Sequence, residues 1–161
     1  MRRLLGWADA LFTEVAALFS FGFLVCVSLQ VLFRYVLEEP LPWSEELARY
    51  LFVWAALLAA AVMVGRNDNF SISILVERLP VRGQWALDVV GAALGVLFVL
   101  IVLWKGVAMS WRMGGALSPV LQISQGLVYA VIPLSALYML VHLLVRLVTL
   151  LRGGPSAAAP C

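Results

Sequence analysis

The sequence predicts an all-α integral membrane protein of four transmembrane helices, with a short amphipathic interfacial segment between the second and third. Three observations carry this reading. Of the 161 residues, 64% are hydrophobic and only 12% are charged, against ~25% charged in an ordinary soluble domain, and the mean hydropathy is +1.02. The apolar residues gather in four runs, at residues 11–33, 47–64, 86–109 and 124–150, each near the ~20 residues a helix needs to cross a ~30 Å hydrocarbon core. Trp7, Trp43, Trp85 and Trp111 fall near the ends of these runs, where an amphipathic ring prefers the headgroup region. Backbone groups in lipid must be satisfied within their own segment, so the runs are helices rather than strands.

The first run follows Met1-Arg2-Arg3, an opening that a secretory signal peptide would share. Its uncharged stretch is too long for such a signal and no small-residue cleavage site follows, so it is read as a retained span. The second run is introduced by Pro42, Trp43, Ser44, Glu45 and Glu46. Ser44 can cap free N–H groups there, and the two carboxylates suit the positive end of a helix dipole. Residues 69–80 are too short and polar to cross. Phe70, Ile74 and Leu75 could share a helix face along the interface, although residues 70–74 also alternate as a strand would. The third and fourth runs are each long enough to cross. Residues 1–152 thus form a single membrane domain, and residues 153–161 (GGPSAAAPC) read as a disordered tail.

Orientation follows from the basic residues. Arg2, Arg3, Arg66, Arg78, Arg82, Arg146 and Arg152 fall on one side, and Arg34, Arg49, Lys105 and Arg112 on the other. The positive-inside rule then puts both termini in the cytoplasm. A net charge of +2 with scattered basic residues excludes a nucleic-acid partner. Cys26 and Cys161 are too far apart in sequence to suggest a disulfide framework or a metal-ligand spacing. No catalytic domain fits between the spans, and no nucleophile–base set or Gly-rich phosphate loop occurs. The chain is therefore read as no enzyme and as carrying no cofactor; its single histidine cannot supply the ligand pair of a membrane haem.

Ionisable residues within spans are functional candidates because they are expensive to place there. Glu14, Lys105 and His142 qualify. Glu14 lies where it could pair with His142 or Arg146, forming either a structural polar pair or part of an ion path, while Lys105 could snorkel. Gly91 and Gly95 form a GxxxG pattern in the third span, and Ala55, Ala56, Ala59 and Ala60 line part of the second. Small residues of this kind let helix backbones approach, within the subunit or at a partner. Glu45 and Arg49 have the spacing of a helix-face ion pair. Arg34, ending the first span, is expected at the depth of Glu45 and Glu46, where the three could form a charged clamp.

The stretch Gln30, Arg34, Tyr35, then Pro42, Trp43, Glu45, Glu46, Leu47, Arg49, Leu51, Phe52 and Trp54 resembles the small membrane subunit of tripartite ATP-independent periplasmic (TRAP) transporters, the DctQ-like family. The similarity continues through Leu79-Pro80 and through Gly126, Tyr129 and Pro133, covering roughly residues 11–150. Asn69 and Ser73 stand where family members often have His and Asp. The resemblance implies a subunit of a sodium-coupled importer of organic acids in the bacterial inner membrane. Its partners would be a large membrane subunit, which holds the substrate and sodium sites, and a periplasmic substrate-binding protein. This subunit would scaffold the large one and bind no substrate. Arg34, Trp43, Glu45, Glu46 and Arg49 are the interface or structural motif. The rival reading is an autonomous four-span proton-coupled exporter, with Glu14 as its membrane carboxylate.

Overall fold

The computed structural model describes residues 2–39, 41–66 and 80–153. It contains the helices α1 (Arg2–Tyr35), α2 (Pro42–Gly65), α3 (Val81–Arg112), α4 (Gln125–Tyr129) and α5 (Val131–Gly153). The last two run together as one span, so among the described residues four helical stretches are long and apolar enough to cross a membrane: Gly6–Tyr35, Pro42–Gly65, Arg82–Arg112 and Gln125–Gly153. The interfacial segment expected at residues 69–80 lies outside the described residues except for Pro80, the N-cap of α3. The tail beyond Gly153 also lies outside them.

The helices overrun the apolar segments. At ~1.5 Å per residue, the 34 residues of α1 extend ~51 Å, well past a hydrocarbon core. Intrahelical hydrogen bonds do not require an apolar side chain, so a helix continues into the headgroup region until a residue stops it. At the start of α2 that residue is Pro42, whose missing N–H costs nothing in the first turn and whose ring presets a helical φ. The helix consequently begins two residues before Ser44. The expected Ser44 cap is replaced by an N-cap at Leu41 without a side-chain bond, and the Ser44 hydroxyl donates to the Leu41 carbonyl at 2.8 Å.

The chain divides α4 from α5 at Ala130 because Pro133 has no N–H for the Tyr129 carbonyl and its ring crowds that position. Leu134 resumes the ladder by donating to Ala130 at 3.2 Å.

Packing follows the order α1, α2, α5, α3, with α4 beside α3. The central position of α2 and α5 shows in their burial: 28% and 33% of their most apolar windows are enclosed, against 11% for each outer span. Ala16, Leu58 and Val131 join the first, second and fourth spans, and Val99, Ala136 and Leu143 join the third to the fourth. Small side chains permit these approaches, as Ala61 and Ala136 are almost wholly enclosed. Of the four alanines singled out in the second span, Ala55 is buried while Ala56, Ala59 and Ala60 are exposed.

Candidate functional site

Polar contacts gather at the two ends of the bundle. At the end where α2 begins, residues 113–124 form a tight connection. Ser118 donates to Ile123 at 2.9 Å, Gln125 donates to Ala116 at 2.8 Å, and Leu117 and Ser124 form an isolated antiparallel bridge. Gln122 adopts φ 54, in the left-handed region, at the tip. This turn leaves the N–H groups of Val120 and Leu121 pointing outward without an intraloop acceptor. Glu46 supplies one: its Oε2 accepts Val120 N–H at 3.0 Å and Leu121 N–H at 3.1 Å, while its Oε1 accepts the Tyr50 hydroxyl at 2.5 Å. The carboxylate is 7% exposed, and Ser44 and Ser118 beside it are fully buried. One side chain thereby fastens the connection between spans three and four to the second turn of span two. Charge-assisted bonds of this kind exceed neutral ones in strength.

The other members of the motif divide differently. Glu45 and Arg49 pair at 3.2 Å with two-thirds of each side chain exposed, so the pair contributes little. Trp43 is 40% exposed. Arg34 does not join them. It is exposed, its guanidinium carbon lies 6.0 Å from the Tyr35 ring centroid, and among the described residues it has no ion pair with Glu45 or Glu46. The structure shows a Glu46 clip in place of the expected Arg34 clamp: the buried Glu46 carboxylate takes its donors from the loop and from Tyr50, and Glu45 turns to Arg49. Beside the clip, Pro42, Glu45, Arg49, Tyr50, Gln125 and Tyr129 surround a groove of about 530 Å³.

At the opposite end, the histidine does not meet Glu14. His142 Nε2 lies 3.1 Å from Asp9 Oδ1, and the same carboxylate oxygen accepts the Tyr138 hydroxyl. Tyr138 stacks on Phe12 at 4.3 Å and lies against the His142 ring at 4.4 Å. Arg66 donates to Thr13 Oγ1 at 3.0 Å, and Thr13 donates to the Asp9 carbonyl at 2.6 Å. Arg146 pairs with Asp88 of α3 at 3.3 Å. Glu14 is exposed on the outside of α1, as is Lys105 on α3. Asp9 was missed because it precedes the apolar run. Helical spacing holds the signal: residues 9, 12, 13 and 16 share one stripe of α1, and Ala16 is in the core, whereas residue 14 lies off that stripe.

The GxxxG glycines also part company. A Cβ at Gly95 would touch Leu143 at 3.4 Å, whereas one at Gly91 would meet nothing within 4 Å. Gly95 therefore packs within the subunit.

Four antiparallel apolar spans with their ion pairs and polar clusters at the ends define a multi-pass integral membrane protein. The family profile described as "Tripartite ATP-independent periplasmic transporters, DctQ component" matches residues 23–153, and the chain belongs to that family, which supplies a membrane component of transporters and is not a family of enzymes. Among its relatives, the isethionate TRAP transporter permease protein DctMQ of Oleidesulfovibrio alaskensis is 31% identical over 152 residues, covering 88% of this chain and 24% of that protein. A candidate TRAP transporter small permease protein of Haemophilus influenzae is 26% identical over 126 residues, 78% of each chain. The C4-dicarboxylate TRAP transporter small permease protein DctQ of Rhodobacter capsulatus is 32% identical over 98 residues, 60% of this chain and 43% of its own. The chain thus spans about a quarter of the first of these relatives and about three-quarters of the second.

Proposed function

We propose that this chain is the small membrane subunit of a sodium-coupled TRAP importer of an organic acid, in a bacterial inner membrane, with both termini cytoplasmic. It scaffolds a large membrane subunit, works with a periplasmic substrate-binding protein, and binds no substrate itself. The carrying observation is the interior between the two polar ends, where the buried clusters of Ala16, Leu58 and Val131 and of Val99, Ala136 and Leu143 are apolar. A substrate path for an anion would place polar or charged side chains at that depth. The exposed position of Glu14 on the outside of α1 speaks against the exporter alternative, which needs a carboxylate turned inward.

The names of the relatives support the rest of the reading. Isethionate and C4-dicarboxylates are both small organic acids. The relative named DctMQ is far longer than this chain, as expected if a large permease part is joined there to a small one. Uptake into proteoliposomes tests the proposal. The isolated chain should move no organic acid under a sodium gradient, and uptake should appear when the large subunit and the binding protein are added. Accumulation driven by the chain alone would overturn it.

A further inference from the structure

The polar cluster where α1 begins has no part in the scaffold reading, and its hydrogen-bond arithmetic is informative. His142 turns both ring nitrogens toward acceptors. Nδ1 lies 3.1 Å from the Tyr138 carbonyl oxygen, and Nε2 lies 3.1 Å from Asp9 Oδ1. A carbonyl has only lone pairs to offer, and so does an ionised carboxylate. A neutral imidazole carries one N–H, so either neutral tautomer sets a ring lone pair against an oxygen lone pair at one of these two contacts. With Asp9 ionised, only a ring bearing hydrogens on both nitrogens satisfies them together. The Tyr138 hydroxyl converges on the same Asp9 oxygen.

We infer that Asp9, Tyr138 and His142 form a proton-binding site in which one proton, carried on the His142 ring and facing Asp9, clasps the first span to the fourth. The site is enclosed, with the His142 side chain 11% and the Asp9 side chain 30% exposed. Its charged surroundings are Arg66 at the end of α2, tied through Thr13 to the Asp9 backbone, and the Arg146–Asp88 pair one turn along α5 and on α3. Glu14, also on α1, faces outward. Loss of the proton leaves the Tyr138–Asp9 bond but removes the charge on the histidine side. The clasp, which needs the ring proton and the ionised carboxylate together, therefore weakens once that proton is lost at higher pH.

His142 is the only histidine in the chain, so ring ¹⁵N spectra of the full chain in lipid nanodiscs, purified without a histidine tag, report this site directly. Both nitrogens should carry hydrogens at pH 5.5; a bare ring nitrogen at that pH overturns the inference. A second measurement compares wild type, Asp9→Asn, His142→Gln and the double variant by thermal unfolding at pH 5.5 and 8.5. The interaction between the two positions should amount to about 3 °C in Tm at pH 5.5 and fall below about 1 °C at pH 8.5. An equal interaction at both pH values, or none at pH 5.5, shows a contact that does not depend on the proton and defeats the proposal.

Discussion

Two neighbouring residues on a helix point about 100° apart, so at most one of an adjacent pair of carboxylates can face a packed neighbour squarely. In this chain Glu46 faces the loop between spans three and four, while Glu45 faces outward toward Arg49. Removing Glu46 leaves the Val120 and Leu121 N–H groups and the Tyr50 hydroxyl without their acceptor, and a stranded donor is costly where water is scarce. Glu46→Ala should therefore lower the unfolding temperature of the purified chain, and Glu46→Gln should lower it less because one amide oxygen can still accept. Glu45→Ala and Arg34→Glu should leave it unchanged. If Arg34→Glu destabilises as strongly as Glu46→Ala, the clip is not what secures this end. The motif itself was legible in the sequence, but the partner of Glu46 was not. Its donors are backbone N–H groups 74 and 75 residues away, and a backbone donor leaves no mark in residue identity. Asp9 was hidden for a different reason, since hydropathy placed the start of the first span after it.

Spans were readable as elements because lipid demands long apolar helices, and each of the four runs lies within an observed helical stretch, apart from Ser124 at the N-cap of the fourth. Their ends were less readable, since Pro42 and the continuing backbone ladder decide them rather than hydropathy. Contacts between elements depend on where backbones come closest, and the glycine pattern alone did not rank those places. One tight approach lies at Gly126, where an added Cβ would fall 2.7 Å from both Gly114 Cα and the Ser110 carbonyl oxygen. Ser110 reinforces the contact by donating to the Gly126 carbonyl at 2.8 Å. Both obstructing atoms belong to the backbone, so no side-chain rotation relieves the clash. Gly126→Ala should cost about 1–3 kcal/mol, seen as a drop of several degrees in Tm. Gly91→Ala, with open space around it, should be neutral in the same assay. Equal tolerance at the two sites would mean that α3 and α4 do not approach as closely as described.

At the scale of the whole molecule, the antiparallel packing gives the two ends of the bundle separate charge inventories. The N-terminus of α1, the C-terminus of α2, the N-terminus of α3 and the C-terminus of α5 share one end, which carries Arg66, Arg82, Arg146 and Arg152, with Arg2 and Arg3 opening α1. The other end carries Arg34, Arg49 and Arg112, with Lys105 about two turns inside α3. Arginine retained on the cytoplasmic side during insertion biases the orientation, and the residues close to span ends count most. Arg146 is paired with Asp88, yet Asp and Glu carry little weight in that rule, so the pairing does not reverse the inequality. The end rich in arginine should therefore be cytoplasmic. In a background without Cys26 and Cys161, a single cysteine at Glu39, in the exposed turn after α1, should react with a membrane-impermeant thiol reagent in spheroplasts. One at Arg152, in the last turn of α5, should react only after the membrane is permeabilised. Labelling of Arg152→Cys in sealed spheroplasts with protection of Glu39→Cys would invert the bundle. The Glu46 clip would then face the cytoplasm, beyond the reach of a periplasmic binding protein.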